Sequence, residues 1–431
     1  MIGIGAAALH AVTFRVDVTP PLGAALCAGL VAPAREIADP LFAIGAILVT
    51  EEGPVLICAV DWCEIDNESH LAWRGELARA LDVAADRVAL HTVHQHNAPI
   101  ADLAADRLVV GAGGMSPTLD VPSFQACVAA TAEAARAARK RLRPVGRVAL
   151  GSAVVKEVAS ARRILGADGK VLHTRWAATR EPGLRAEPEG VIDPLLRTVT
   201  LLGDDPLVSF HFYATHPMSY YGDGVVTSDF AGLARERRCR ETPGLEHIYL
   251  NGCGGDITPG KYNEGTPESR VRLTDRIHAA LKESERHARP SAVGRVRWDS
   301  LDMTLPARVD LVPRALEELI ADAGRKENDR KTAALRLAYL RRLTVPTCCS
   351  RLRIGDDADI LFLPGEPFVE YQISAARQGR FVAVAGYGDT GPGYLPLARS
   401  YAEGGYEITA SSVSEETEPI LKGAMRRLLS A

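Results

Sequence analysis

The sequence contains no apolar run near the ~20 residues that a membrane-crossing helix needs, so no transmembrane segment is expected. It has no excess of one charge. Lys and Arg number 50 against 54 Asp and Glu, a formal net charge of -4, which gives no electrostatic reason to expect nucleic acid or an anionic membrane as partner. It has no CxxC pair. Its eight cysteines (Cys27, Cys58, Cys63, Cys127, Cys239, Cys253, Cys348 and Cys349) are spread along the chain, most in apolar contexts such as VLICAV. Buried free thiols are therefore expected rather than disulfides, and with them a cytoplasmic location. The start, MIGIGAAALHAVTFRVDVTPPLG, lacks a basic n-region and runs into a strand-like stretch, so it reads as part of the fold rather than a signal peptide. There is no internal sequence repeat, no low-complexity linker and no sharp domain boundary.

What is present is an ordinary globular composition, 47% hydrophobic and 24% charged, in a 431-residue chain long enough to bury a large core. Apolar, strand-like runs recur: LFAIGAILVT, PVLICAV, RVALHT, RVALGSAVV, LLRTVTLLG, LVSFHFYAT, HIYLNG, DILFLPG and RFVAVAG. Helix-period stretches lie among them at Glu68–Ala80, Pro122–Leu142, Asp229–Arg240, Pro267–His287, about Leu311–Leu343, and Pro419–Leu429. Strands interspersed with helices predict an α/β protein with mixed sheets flanked by helices, read as one large domain over 1–431. The segment from Arg308 to Leu343 is charged on one face and reads either as an inserted helical subdomain or as a helical hairpin packed on a sheet.

Five sites carry candidate chemistry. His91-Thr-Val-His94-Gln-His96-Asn97 follows the strand-like RVAL and places three of the chain's 11 histidines within six residues. On an extended backbone His94 and His96 point the same way and reach one point, and imidazole is the commonest zinc ligand. The bland alternative is a set of satisfied core histidines at a polar strand end. The H-x-H-x-D-H pattern of metallo-β-lactamase-like hydrolases is a poor match, because Asn97 and Pro99 stand where Asp-His would be required. The second site, Tyr213-Ala-Thr-His216-Pro217, ends another apolar run. The third, Asn251-Gly-Cys253-Gly-Gly-Asp256-Ile-Thr258-Pro259, is a glycine-rich turn able to approach a ligand closely. Cys253 in it is a nucleophile candidate with no base at motif spacing. The fourth, Gly365-Glu366-Pro367, puts a carboxylate after a strand, and the fifth runs from Gly391-Pro-Gly393-Tyr394 through Tyr406-Glu407. VVGAGG near Val109 is a glycine signal without a phosphate-binding fingerprint.

Taken in order, these stretches resemble the N-terminal catalytic domain of the neutral/alkaline, non-lysosomal ceramidases. VDVTPPLG and DPLFAIGAILV are similar to that family's start, and VHQHNAP stands where it carries T-H-T-H-S-G-P. SARRILGADGK, THP, GCGGDITP, PGE and the Tyr394–Glu407 stretch follow in family order, over about residues 1–411. The spacing of 12 between Tyr394 and Tyr406 is the most specific detail. The resemblance implies zinc bound by His94, His216, Glu366 and Tyr394, with His96, Arg162, Thr258 and Tyr406 lining the reacting centre. Either Arg162 or Arg163 fills the arginine role. Thr258 replaces a family Ser, Asn97 replaces the Ser after the second His, and the family's C-terminal immunoglobulin-like domain is missing from the reading.

Two His, a carboxylate and a phenol make an N/O site suited to zinc with an open position for water, whose pKa zinc lowers to ~7. The expected function is zinc-dependent hydrolysis of an amide in a small-molecule or lipid-like N-acyl substrate. Amide and ester cleavage need the same groups, so a zinc esterase or deacetylase acting on a small acylated metabolite or sugar is the alternative. A non-catalytic binding module on the same scaffold, and a structural zinc with chemistry at Cys253, are the more distant ones.

Overall fold

The computed structural model describes residues 9–377 and 379–431, so the reading of residues 1–8 as part of the fold lies outside the described residues. The chain is α/β, with mixed sheets flanked by helices. Every apolar run named above forms a strand. In the first sheet, Phe42–Thr50 and Gly53–Val60 form a hairpin, and Leu9–Asp17 pairs antiparallel on its far side. Alternation sorts the side chains by face. Ile44, Ala46 and Leu48, with Val55, Ile57 and Ala59, join a core shared by all three large sheets. Ala43, Ile47, Leu56, Cys58 and Val60 meet Trp73 and Leu77 of helix Asn67–Leu81, and Phe124 and Val128 of helix Val121–Ala138. Both faces are buried, which is why these strands read as continuous apolar runs. At ~1.5–3 kcal/mol for each large aliphatic side chain, this burial is what offsets the entropy of ordering the sheet.

The three large sheets share one connectivity that the amino-acid sequence does not display as a repeat. Each has a hairpin, then a helix, then an edge strand parallel to the hairpin's second strand. The units are Phe42–Thr50, Gly53–Val60, Asn67–Leu81, Val88–Thr92; Leu195–Leu202, Pro206–Tyr213, Asp229–Glu241, Glu246–Asn251; and Thr347–Ile354, Ala358–Phe362, Val369–Ala376, Phe381–Ala385. Loops leaving the carboxyl ends of these parallel pairs carry every metal-site candidate except Tyr394. Ligands gather at such strand ends in α/β sheets.

Helix Pro267–His287 coincides with its sequence signal. It begins at an N-cap Thr266 whose side chain accepts from the Ser269 N–H, with Pro at the first turn. The Leu311–Leu343 stretch divides at Asp322–Lys326 into helices Pro313–Ala321 and Glu327–Arg341. These pack as a hairpin with helix Leu103–Ala112 around Val109, Leu316, Ile320, Ala334 and Leu337, a cluster separate from the sheet core. VVGAGG is thus the end of a helix, with Gly113 and Gly114 at positive φ beyond it. Strands Val296–Met303 and Thr347–Ile354 lie outside the apolar runs because charged residues alternate through them.

Candidate metal centre

His94 leaves the edge strand Val88–Thr92 at φ 72°, a left-handed backbone that turns its ring inward. Its Nδ1 lies 2.9 Å from the Cys63 carbonyl oxygen. A carbonyl only accepts, so Nδ1 carries the proton and Nε2 presents a lone pair. His216 follows the same rule: Nδ1 faces the carbonyls of Gly254 and Ile257 at 2.7 and 3.0 Å, leaving Nε2 unprotonated. The two free nitrogens meet one atom, Glu366 Oε2, at 3.1 and 3.3 Å. That oxygen is buried and has no proton donor. The Tyr394 hydroxyl completes the group 3.4 Å from His216 Nε2, brought there by the parallel bridge pairing Glu366 with Tyr394.

Three lone pairs facing one another without a proton between them are repulsive unless a cation sits among them. Ligands ~2.0–2.2 Å from a tetrahedral zinc lie roughly 3.3–3.5 Å apart, close to the separations found here. The second-sphere carbonyls that orient each imidazole are the partners metal-binding histidines ordinarily have. Burial, then the Arg162 charge, pushes His216 down to about 4. The residues present fit a divalent cation.

A second histidine pair makes the contrast clear. His211 Nε2 and His247 Nδ1 lie 2.9 Å apart behind the second sheet, near Glu285. Their rings are within 7° of coplanar and their centroids 5.2 Å apart, which is the nitrogen separation plus the two ring radii. The nitrogens therefore point straight at each other and share a hydrogen, in a chain that runs on to Thr198 and Thr242. His94 and His216, with centroids 4.9 Å apart and planes crossed at 75°, converge instead.

The other sequence candidates fall around this point. His96 Nε2 is 3.4 Å from His94 Nε2, half-buried, with burial holding it below its ordinary pKa. Arg162, rather than Arg163, turns inward: its Nη1 donates to the Tyr394 hydroxyl at 2.9 Å, while Arg163 pairs with Glu403 and Glu407. Arg162 is placed by the short ribbon pairing Ser160 with Thr258 and by its N–H to the Asp256 carbonyl. Thr258 is fully buried with an unpartnered hydroxyl. Tyr406 lines the mouth, its ring 5.8 Å from that of Tyr394. Cys253 does not join them. It lies in an apolar cluster with Leu361 and Tyr371, and burial pushes its thiol well up, the opposite of an activated nucleophile.

Sequence reasoning missed Tyr387, whose ring stacks on His94 with centroids 4.3 Å apart. It also missed Glu64, Asp66 and Cys27, which line a cavity of about 320 Å³ with His94, His96, Glu366 and Tyr394. The available signal was positional: DWCEID and GYGD both follow apolar strands, as the histidine motifs do.

No protein-family model matches this sequence, and no curated protein does. Among solved structures, the chain is similar to the neutral ceramidase of Pseudomonas aeruginosa, with a TM-score of 0.70 at 15% identity over 98% of this chain and 74% of that one. A ceramidase complexed with C2 is similar with a TM-score of 0.69 at 16% identity, over 97% and 74% of the two chains. At such identities the likeness is one of backbone architecture, and it runs across all three sheets rather than one motif. The chain has the fold of the neutral ceramidases.

Proposed function

We propose that this chain is a zinc-dependent amidohydrolase that cleaves an N-acyl substrate, small or lipid-like, with the metal held by His94, His216, Glu366 and Tyr394. The observation that carries the reading is the meeting of two imidazole Nε2 atoms on the unpartnered Glu366 oxygen at 3.1 and 3.3 Å, each ring's Nδ1 being turned to a carbonyl. The ceramidase fold supports amide hydrolysis as the reaction class. Zinc bound there would supply a Lewis acid and an activated water.

The chain's own residues supply the rest. Arg162 is buried with its Nε unpartnered and Glu407 Oε1 3.7 Å away, so its charge is fixed in place without being quenched by a close contact. With the Tyr406 hydroxyl it faces the position where an amide oxygen would gain negative charge. His96 is neutral at pH 7 and close to His94, so it can take a proton from water and deliver it to the leaving amine. The unpartnered Thr258 hydroxyl is an additional donor beside the His216 loop. All eight cysteines are free, which fits a reducing compartment such as the cytoplasm, and no helix among the described residues is long and apolar enough to cross a membrane.

Metal content of the purified protein, with its His94→Ala and Glu366→Ala variants, tests the reading alongside amide cleavage. About one zinc per chain, lost in both variants together with activity, is expected. A chain that neither carries zinc nor takes it up would overturn the assignment.

A further inference from the structure

We propose that the cavity accepts an N-acyl compound whose amine half is a small polyhydroxylated, sugar-like ring, with Glu64 and Asp66 accepting its hydroxyls. The inference rests on the amidohydrolase reading for the bond that is cut, but the recognition it assigns is separate from the metal centre.

The cavity, about 320 Å³, lies at the small end of the range for ligand sites. It has room for a ring with a short acyl group. Two of its lining residues are carboxylates with capacity to spare. Glu64 follows strand Gly53–Val60, and among the described residues its carboxylate has no hydrogen-bond donor. His94 Nδ1 lies 3.9 Å away, its proton committed to the Cys63 carbonyl. Asp66 accepts from the Thr390 hydroxyl at 2.5 Å through Oδ1, and its Oδ2 has no donor among the described residues. Neither carboxylate meets a cationic side chain: among the residues of the wall, Arg336 is bonded instead to the Thr409 carbonyl.

Both carboxylates thus present acceptor oxygens to the cavity without a protein donor at hand. Ligand hydroxyls would meet them with charge-assisted bonds. The remaining wall matches the other character of a sugar ring, its apolar faces. Tyr221 and Tyr406 stand half-exposed at the cavity, and Trp176, half-exposed, extends the edge with its ring 5.0 Å from Tyr406. Tyrosine and tryptophan offer an apolar body with a polar tip. Leu30 and Ile100 leave a small apolar surface for a short acyl group. Two carboxylates at separate points suit several hydroxyls spread round a ring better than one ammonium, which would satisfy only one of them.

The test compares kcat/KM for N-acetylglucosamine, N-cyclohexylacetamide and N-acetylsphingosine on the zinc-loaded chain. A site built to bond hydroxyls rejects the analogue lacking them by about 10⁴-fold. The sugar is therefore expected to lead the cyclohexyl amide by that order, and Glu64→Gln and Asp66→Asn are each expected to shrink the ratio at least tenfold. Equal or faster turnover of the cyclohexyl amide or of the sphingosine compound overturns the proposal. If no amide is cut, the hydrolase reading fails, and calorimetry still decides the pocket. Glucosamine and cyclohexylamine carry the same charge, so binding of glucosamine alone, weakened in Glu64→Gln, supports the assignment. Binding of both equally, of cyclohexylamine alone or of neither overturns it.

Discussion

The Arg162 guanidinium donates to the Tyr394 hydroxyl at 2.9 Å, and that same oxygen lies 3.4 Å from His216 Nε2. A buried cation thus holds a phenol against the proposed metal position; burial pushes that phenol well above its ordinary pKa, and the Arg162 charge opposes the shift. Glu407, fully buried, stands behind both arginines, 3.7 Å from Arg162 and bonded to Arg163 at 3.1 Å. The two neighbouring arginines therefore differ in role. Arg162→Met is expected to lower kcat about 10²–10³-fold at full metal occupancy, the cost of one oxyanion donor. Arg163→Met is expected to lower the melting temperature while leaving kcat within a few-fold. Equal kcat losses in the two variants would contradict the distinction.

Gly255 offers a way to disturb the metal without touching a ligand. A Cβ added there would overlap the Glu366 backbone carbonyl and carbon, neither of which can move aside as a flexible side chain would. Gly255→Ala should displace the strand pair that carries Glu366 and Tyr394. Loss of supporting interactions around a metal site costs 10–100-fold in affinity. Competition titration with a chromogenic zinc chelator should show a loss of that size, and unchanged affinity would mean the loop absorbs the methyl.

His96 is as near to His94 as the proposed ligands are to one another, so the division between ligand and proton carrier needs its own measurement. His96→Ala is expected to keep about one zinc per chain and lose 10²–10⁴-fold in kcat, the usual contribution of a positioned acid–base group. Loss of the metal in this variant would move His96 into the coordination sphere.

Much of this arrangement was legible in the sequence because strands with both faces buried announce themselves as apolar runs. Helix Pro267–His287 was legible from its Thr-Pro start. Strands Val296–Met303 and Thr347–Ile354 were not, since Arg297, Asp299 and Asp302 in the first and Arg351 and Arg353 in the second break the apolar pattern. Helix Leu103–Ala112 was hidden by the Gly111–Gly114 signal at its end. At the metal centre, His94, His216 and Glu366 each had a motif around them. Glu64 and Asp66 had none: their meaning comes from a cavity wall assembled by segments far apart in the chain.

Acid sensitivity follows from histidines that have nothing to do with the metal. His70 and His91 are buried, their ring N–H groups donating to the Leu90 and Gly386 carbonyls, and burial pushes both down to about 4. In the unfolded chain each titrates near ~6.5. Between those two values the unfolded state binds more protons than the folded one, so stability falls as pH falls through that window and is unaffected by these groups above it. By pH 5 each histidine should cost on the order of 2 kcal/mol. Asp256, which burial pushes up to about 7, acts in the opposite sense: its contribution is lost as pH rises. The wild-type slope is the balance, and a variant isolates one part of it. Urea midpoints of the metal-free chain at pH 7.5 and 5.0 should draw closer together in His70→Gln than in the wild type. If the two proteins lose the same stability between those pH values, His70 is not held neutral by the fold.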